Sequence, residues 1–410
     1  MKKTSAVLII FFISGNLFPQ TGWFSQVSGV QDTLRCIKFL NSSTGFIAGS
    51  NGVILKTSDS GNSWLSVQTG FASDLYSVYV FSASEIIAAG DSGLVLKSLN
   101  GGVNWSGFRI SGKRLRSVHF GSESTGFAAG DSGVIFRTIN GGNNWNQMSY
   151  NIPIQFNSVF CTDSLNAWIA GYGIILHTDD SGLNWHSQFS DGYLVLNSVF
   201  FVDKFRGWAG YYDNITFGPE NLKTSTSGLD WRGYSSGSNA YSLSLFFSDS
   251  LNGWSSGFYG SIVKTSNGGI NWISQISGTS SHLYSVCFVN SMTGWTAGEN
   301  GTVLKTVSGG VITSVSSEEN YSADLNFSLY NYPNPFNPLT KINYVLNSDG
   351  FVSLTIYDIN GKETVKLVSE FQHKGSYEKD FNAEFLPAGI YYCKLESGGN
   401  YEIIKIVLLK

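Results

Sequence analysis

One unit recurs seven times at nearly constant spacing in this chain of 410 residues, and a repeat of that kind limits the fold more than any other feature. Each copy holds an apolar strand, a Gly-aromatic strand ending near Ala-Gly, a Gly-led strand ending in Lys-Thr, and a Gly-x-x-Trp turn. The first copy runs from Leu34 to Trp64 and contains Gly45-Phe46-Ile47-Ala48-Gly49 and Gly52-Val53-Ile54-Leu55-Lys56-Thr57. Later copies begin at Leu75, Leu115, Phe156, Leu196, Ser242 and Leu283. The turns close on Trp64, Trp105, Trp145, Trp185, Trp231 and Trp272, at gaps of 41, 40, 40, 46 and 41 residues. The longer gap reflects extra residues in the fifth copy, around Tyr211 to Asn221. In the seventh copy Thr313 stands where tryptophan belongs, and an orphan, Trp23, lies 41 residues before Trp64.

A four-stranded antiparallel blade takes roughly 40–45 residues. Blades stacked in a ring bury their sheet faces against two neighbours, whereas an open spiral wants polar capping repeats, which this chain lacks. The broken last repeat and the orphan tryptophan predict how the ring closes: the segment around Trp23 supplies the outer strand of the blade begun at Leu283. The expected fold is all-β, a seven-bladed β-propeller over residues 21–313. Alternating strands such as Gly133-Val134-Ile135-Phe136-Arg137-Thr138 fit it. So do 47 glycines against 7 prolines, a balance suited to tight turns between short strands.

Charged residues make up only 13% of the chain, against roughly 25% in an ordinary soluble domain. The net charge is −4 and the seven arginines are scattered, so no basic stripe marks a nucleic-acid surface. Lys2 and Lys3 followed by the apolar run Ala6 to Ile13 read as a signal peptide over residues 1–20. No other stretch is long and apolar enough to be a transmembrane helix. Cys36, Cys161, Cys287 and Cys393 are too widely spaced for a zinc pattern, and we expect unpaired buried thiols.

The closing turn has its own chemistry. In Thr138-Ile139-Asn140-Gly141-Gly142-Asn143-Asn144-Trp145, Asn and Gly stand where a tight turn needs positive φ, and Thr and Asn side chains can bond the local backbone. The pattern resembles the Asp-box of bacterial neuraminidase repeats. Asp59 and Asp180 carry the acid, Asn100, Asn140 and Asn267 replace it, and Thr226 stands in the fifth copy. The whole repeat, roughly residues 23–313, also resembles the propellers of photosystem II assembly and stability factors. Both resemblances speak to fold, and a fold hosts many functions.

Residues 314–325 read as a linker, and residues 326–410 as a separate small immunoglobulin-like β-sandwich with short alternating strands and an Asn360-Gly361 turn. This stretch resembles the type A C-terminal sorting domain of type IX secretion cargo in the Bacteroidetes. The matching pieces are Tyr332-Pro333-Asn334-Pro335-Phe336-Asn337-Pro338, Tyr357-Asp358-Ile359-Asn360-Gly361-Lys362, Leu386-Pro387-Ala388-Gly389-Ile390-Tyr391 and Lys410. The resemblance implies export to the periplasm, handling by the type IX machinery, and a final place outside the cell or on its surface.

A sialidase-type propeller needs an arginine cluster, a Tyr–Glu pair and a further acid, and we read no such set. Arg35, Arg109, Arg114, Arg116, Arg137, Arg206 and Arg232 recur at no common position. Asp91, Asp131 and Glu299 occupy equivalent turns, as do Asp163, Asp203 and Asp249, and we expect them to shape those turns. The five histidines are dispersed, so neither a metal set nor a cofactor is expected. The second residue of each innermost strand varies while its neighbours repeat: Arg35, Tyr76, Arg116, Asn157, Asn197, Leu243 and Tyr284. These side chains would ring one rim of the channel, and Arg35, Tyr76, Arg116, Asn157, Asn197 and Tyr284 are the candidate ligand-binding residues. The expected function is a non-catalytic scaffold for an extracellular protein or polysaccharide. The alternative is a secreted glycoside hydrolase. An assembly factor for a membrane complex fits poorly with a chain sent outside the cell.

Overall fold

The computed structural model describes residues 22–310 apart from 149, 151, 214–218 and 236–241, and residues 328–409 apart from 333, 335 and 360. The expected signal peptide and linker, Thr313 and Lys410 lie outside the described residues. The chain divides into two compact units, Met1–Val315 and Ser316–Lys410.

The first unit is an all-β propeller. Five of its sheets have four antiparallel strands and one has six. The six-stranded sheet arises because two strands run long. Ala167–Thr178 pairs first with Phe156–Cys161 and then with the start of His186–Phe201, whose second half pairs with Gly207–Asp213. The extra residues of the fifth copy extend this ribbon, pairing Tyr211 with Glu220 and Tyr212 with Pro219.

Seven inner strands pack in a closed circuit: Leu34–Phe39, Leu75–Val80, Leu115–Phe120, Phe156–Cys161, the segment 196–201, Ser242–Phe247 and Leu283–Phe288, which packs again on Leu34–Phe39. An inner strand has one edge without a strand partner, and its N–H groups still need acceptors. The third residue of six of the seven strands, a serine, meets that need for the next one. Ser77 Oγ accepts the N–H of Val118 at 3.1 Å, Ser117 that of Val159 at 3.0 Å, and Ser158 that of Val199 at 3.2 Å. Ser198 serves Leu245 at 3.1 Å, Ser244 serves Val286 at 3.2 Å, and Ser285 crosses the seam to Ile37 at 3.1 Å. Cys36 holds the seventh such place, its thiol donating to Val78 O at 3.8 Å.

The N-terminus is part of the last sheet. Phe24–Gln26 pairs antiparallel with Val303–Thr306, in the order Phe24–Gln26, Val303–Thr306, Gly294–Gly298, Leu283–Phe288. Trp23 is fully buried and meets Phe288 edge-to-face at 5.7 Å and 88°. Phe39–Trp64, Phe201–Trp231 and Phe247–Trp272 repeat that geometry at 5.8–5.9 Å within their own repeats. A Cβ on Gly22 would lie 2.2 Å from Gly310 O, so glycine is what lets the two ends approach.

The turns are held by one hydrogen-bond set. In the first, Thr57 Oγ1 accepts the N–H of Gly61 at 2.8 Å and Asp59 Oδ1 that of Ser63 at 2.9 Å. Asn100, Asn140 and Asn267 do the work of Asp59 through Oδ1, and Thr226 through its hydroxyl at 3.1 Å. All the turn requires is an acceptor oxygen on a short side chain, which is why the residue varies. The Lys of Lys-Thr reaches the next repeat: Lys56 Nζ donates to Gly101 O and Lys97 Nζ to Gly141 O, both at 2.7 Å. All four cysteines are free and buried.

The second unit is a small immunoglobulin-like sandwich. One sheet orders Ser328–Tyr332, Leu339–Leu346 and Gly375–Asn382. The other orders Glu363–Gln372, Gly350–Tyr357, Gly389–Ser397 and Asn400–Leu408. Ile342, Leu346, Val352, Leu354, Cys393 and Ile406 form the centre of its core. The proline-rich opening has a structural role. After Ser328–Tyr332 the chain crosses to the edge of the last strand, where Asn334 accepts from Val407 N and donates to Lys405 O, both at 2.9 Å. Phe336 makes a parallel bridge to Leu408. This covers an edge that would otherwise be open to pairing with another chain. Tyr391 OH donates to Pro387 O at 2.8 Å, as the tyrosine corner does in immunoglobulin-type sandwiches.

Candidate functional site

The variable second residue of each inner strand sits on a bulge. Register shifts between Leu34 and Cys36, Leu75 and Ser77, Leu115 and Ser117, Phe156 and Ser158, Leu196 and Ser198, Ser242 and Ser244, and Leu283 and Ser285 leave the intervening residue without a cross-strand partner. A bulge turns its side chain away from the regular pleat. Arg35, Tyr76, Arg116, Asn157, Asn197, Leu243 and Tyr284 are all half-buried.

These residues separate into three groups. Arg35, Tyr76 and Arg116 come together, and Arg114 joins them. The Arg35 guanidinium lies 4.5 Å from the centre of the Tyr76 ring, that of Arg114 4.7 Å and that of Arg116 5.9 Å. Each cation has an acid: Arg35 with Asp74 at 3.1 Å, Arg114 with Asp91 at 2.6 Å, and Arg116 with Asp131. Burial raises the Tyr76 hydroxyl above its usual range, against the pull of Arg35 and Arg114. Arg35 Nε is buried with no partner among the described residues.

Tyr284 forms the second group. Its hydroxyl donates to Glu299 Oε1 at 3.0 Å, and burial with that carboxylate pushes its pKa up to about 12. Asn157 and Asn197 make the third, and their amides are used between blades: Asn157 Nδ2 donates to Leu196 O at 2.9 Å and Asn197 Nδ2 to Ser242 O at 3.0 Å. Leu243 has no polar atom to offer. The candidate ring is therefore uneven, charged or aromatic at the first three strands and the last.

The acids divide as well. Asp163, Asp203 and Asp249 each accept two backbone N–H groups of their own turn, as expected of turn-shaping residues. Asp91, Asp131 and Glu299 instead bond Arg114, Arg116 and Tyr284. Arg114 and Asp74 were missed by reading one strand position. Each immediately precedes an inner strand, and the Lys113-Arg114-Leu115-Arg116 run was the available signal. Among the described residues no three His, Cys, Asp or Glu side chains group as metal ligands.

Residues 18–116 and 112–191 match the profile of the photosynthesis system II assembly factor YCF48 family, and residues 330–409 match the secretion system C-terminal sorting domain. The chain is a propeller similar to that assembly-factor family, ending in a sorting domain. The sorting domain implies export by type IX secretion to the cell surface or beyond. YCF48 bound to a D1 peptide is 17% identical, with a TM-score of 0.60 over 71% of this chain and 96% of that one. YCF48 from Cyanidioschyzon merolae is 22% identical, with a TM-score of 0.58 over 69% and 98%. PorZ, a surface component of the type IX secretion system of Porphyromonas gingivalis, is 13% identical, with a TM-score of 0.53 over 94% of this chain and 60% of that one. At these identities the likeness is one of fold. No curated protein matches the chain. Among the described residues no helix is long and apolar enough to cross a membrane.

Proposed function

We propose that this chain is a non-catalytic binding scaffold, delivered outside the cell by its sorting domain. Its propeller has seven blades over residues 21–313, and the mouth of its channel takes a protein or polysaccharide ligand at the cluster around Tyr76. One observation carries the reading: three guanidinium groups from two inner strands and their approach converge on a single half-buried tyrosine ring. Such a set offers both a face for stacking and donors for oxygen atoms. The solved similarity to a propeller holding a D1 peptide favours a peptide ligand.

A peptide and glycan array probed with the full chain tests this. Once a ligand is found, replacing Tyr76, Arg116 and Tyr284 together by alanine lowers affinity at least about tenfold, given that a few truncated anchors dominate most interfaces. Unchanged affinity removes the proposal.

A hydrolase reading has one contact in its favour. Tyr284 bonded to Glu299, with the Arg35 charge acting on it, has the chemistry of a Tyr nucleophile beside an arginine. Against it, Tyr284 is harder to ionise than a free tyrosine and each neighbouring arginine is already matched by an acid. Release of reducing sugar from plant or bacterial polysaccharides, or cleavage of a fluorogenic sialoside, lost in Tyr284→Phe, would replace the scaffold reading by this one.

A further inference from the structure

The third and seventh repeats share one backbone frame at the channel rim and carry different side chains on it. Asp131 N–H donates to Arg114 O and Glu299 N–H to His282 O, both at 3.0 Å. On that frame the third repeat builds two ion pairs, Arg116 with Asp131 of its own turn and Arg114 with Asp91 of the turn before. In the seventh repeat Tyr284 stands in place of Arg116 and His282 in place of Arg114, while Glu299 and Phe258 hold the places of Asp131 and Asp91. One acid is kept and both arginines are gone. Tyr284 donates to Glu299 Oε1 and His282 N–H to Oε2 at 3.3 Å, and no cation among the described residues pairs with that carboxylate. Arg35, on the adjoining strand, is committed to Asp74 and the Tyr76 ring.

Aromatic rings continue outward from this acid. The His282 ring meets Phe258 edge-to-face at 4.8 Å and 89°, Tyr259 at 4.9 Å and 85°, and Tyr284 at 6.4 Å and 87°. Tyr259 sits at φ 54°, in the left-handed place that Asn51, Ser92, Ser132 and Asn300 fill in other repeats. Its N–H donates to His282 Nδ1 at 3.0 Å, as that of Asn51 does to Asp74 Oδ1 at 3.0 Å, so the turn is the common one and the large ring is the addition. A bulky side chain is strained there, and burial does not offset the strain, because Tyr259 is 73% exposed. An exposed ring held beside a carboxylate that has no counter-cation suits a planar cation, which gains from both the ring face and the charge. A neutral sugar ring would use only the face.

We propose that Glu299, with the rings of Tyr284, His282 and Tyr259, takes the guanidinium of an arginine in a peptide ligand. The inference rests on the scaffold reading and names the side chain accepted at the last two repeats, where the ligand supplies the cation that Arg116 supplies in the third.

Saturation-transfer NMR on the full chain with N-acetyl-arginine amide tests it, with N-acetyl-citrulline amide as the neutral isostere. The expected result is binding of the arginine probe and not of the citrulline probe. Affinity for arginine falls at least about tenfold in Glu299→Gln and in Tyr259→Ser. Tyr259→Ser installs the residue that the second and third repeats carry there, so it reports even where Glu299→Gln fails to fold. No binding of arginine to the unaltered chain, equal binding of citrulline, or binding that survives either substitution overturns the proposal. Maltose that binds through Tyr259 where arginine does not gives the platform to a sugar ring, and overturns it as well. Any of these failures leaves the scaffold reading to its own array, because none of the probes tests the contact at Tyr76.

Discussion

Asp59 and Asp180 hold their turns as carboxylates, and the cost of protonating them can be measured. Both are held down to about 2 from 3.8, Asp59 chiefly by the Ser63 hydroxyl and N–H and Asp180 chiefly by the N–H and amide of Asn184. A carboxyl lowered in the folded state contributes stability above its unfolded pKa and loses it as pH falls through the folded one. The window is about pH 4 down to about pH 2. Asn at the same place makes the same backbone bond with nothing to titrate, as Asn100 and Asn140 do. Asp59→Asn with Asp180→Asn therefore leaves a chain whose melting temperature falls less across that window than the unaltered one. An identical fall in both, followed by circular dichroism, would show that these carboxyls do not govern the acid response. The turn chemistry was legible in the sequence because all its partners lie within five residues. The convergence of Arg35, Arg114 and Arg116 on Tyr76 was not, because it joins three repeats and no local pattern encodes it.

At the scale of one strand, Phe24–Gln26 and the tryptophan before it close the ring. Trp23 Nε1 donates to Gln275 Oε1 at 2.8 Å, and the indole fills the site that Trp64 and Trp272 fill in their own repeats. Removing a fully buried tryptophan costs about 3–5 kcal/mol. Trp23→Ala is expected to lower stability by that amount in urea unfolding and to expose the Val303–Thr306 edge to hydrogen exchange. The same change in stability without faster exchange there would sever Trp23 from closure. The orphan tryptophan was visible as a number, 41 residues from its neighbour. The inner-strand serines were visible too, at 77, 117, 158, 198, 244 and 285, but their purpose was not, since five of them bond a strand 41 to 47 residues away and Ser285 one 248 residues away across the seam. In the second unit, Glu363–Gln372 and Gly375–Asn382 are strands that the reading of alternating apolar runs did not pick out. Gly375–Asn382 is polar and mostly exposed, and Glu363–Gln372 turns only Val365, Leu367 and Val368 toward the core, so pairing more than pattern makes them strands.

For the whole molecule, the two units have separate cores and separate tasks. The propeller carries the candidate ligand site, and the sorting domain carries the address. Removing residues 326–410 is expected to leave a folded propeller in the periplasm, detected by fractionation and by protection from protease added outside the cell. Normal surface delivery of the shortened chain would count against the sorting assignment.

The sequence by itself determined the repeat, the turn chemistry, the break at which the ring must close, and the proline-rich opening of the sorting domain. Each of these is written in residues near one another or in a constant spacing, and local backbone preference and burial pattern suffice to read it. Tertiary structure alone decided which side chains meet at the ends of the inner strands. Seven similar strands offer equivalent positions, and only their arrangement about one axis gathers arginines and a tyrosine at one end and turns the Asn157 and Asn197 amides toward the backbone of the next strand. Contacts between repeats carry no signature within a repeat, because the distance that matters is across the ring and not along the chain.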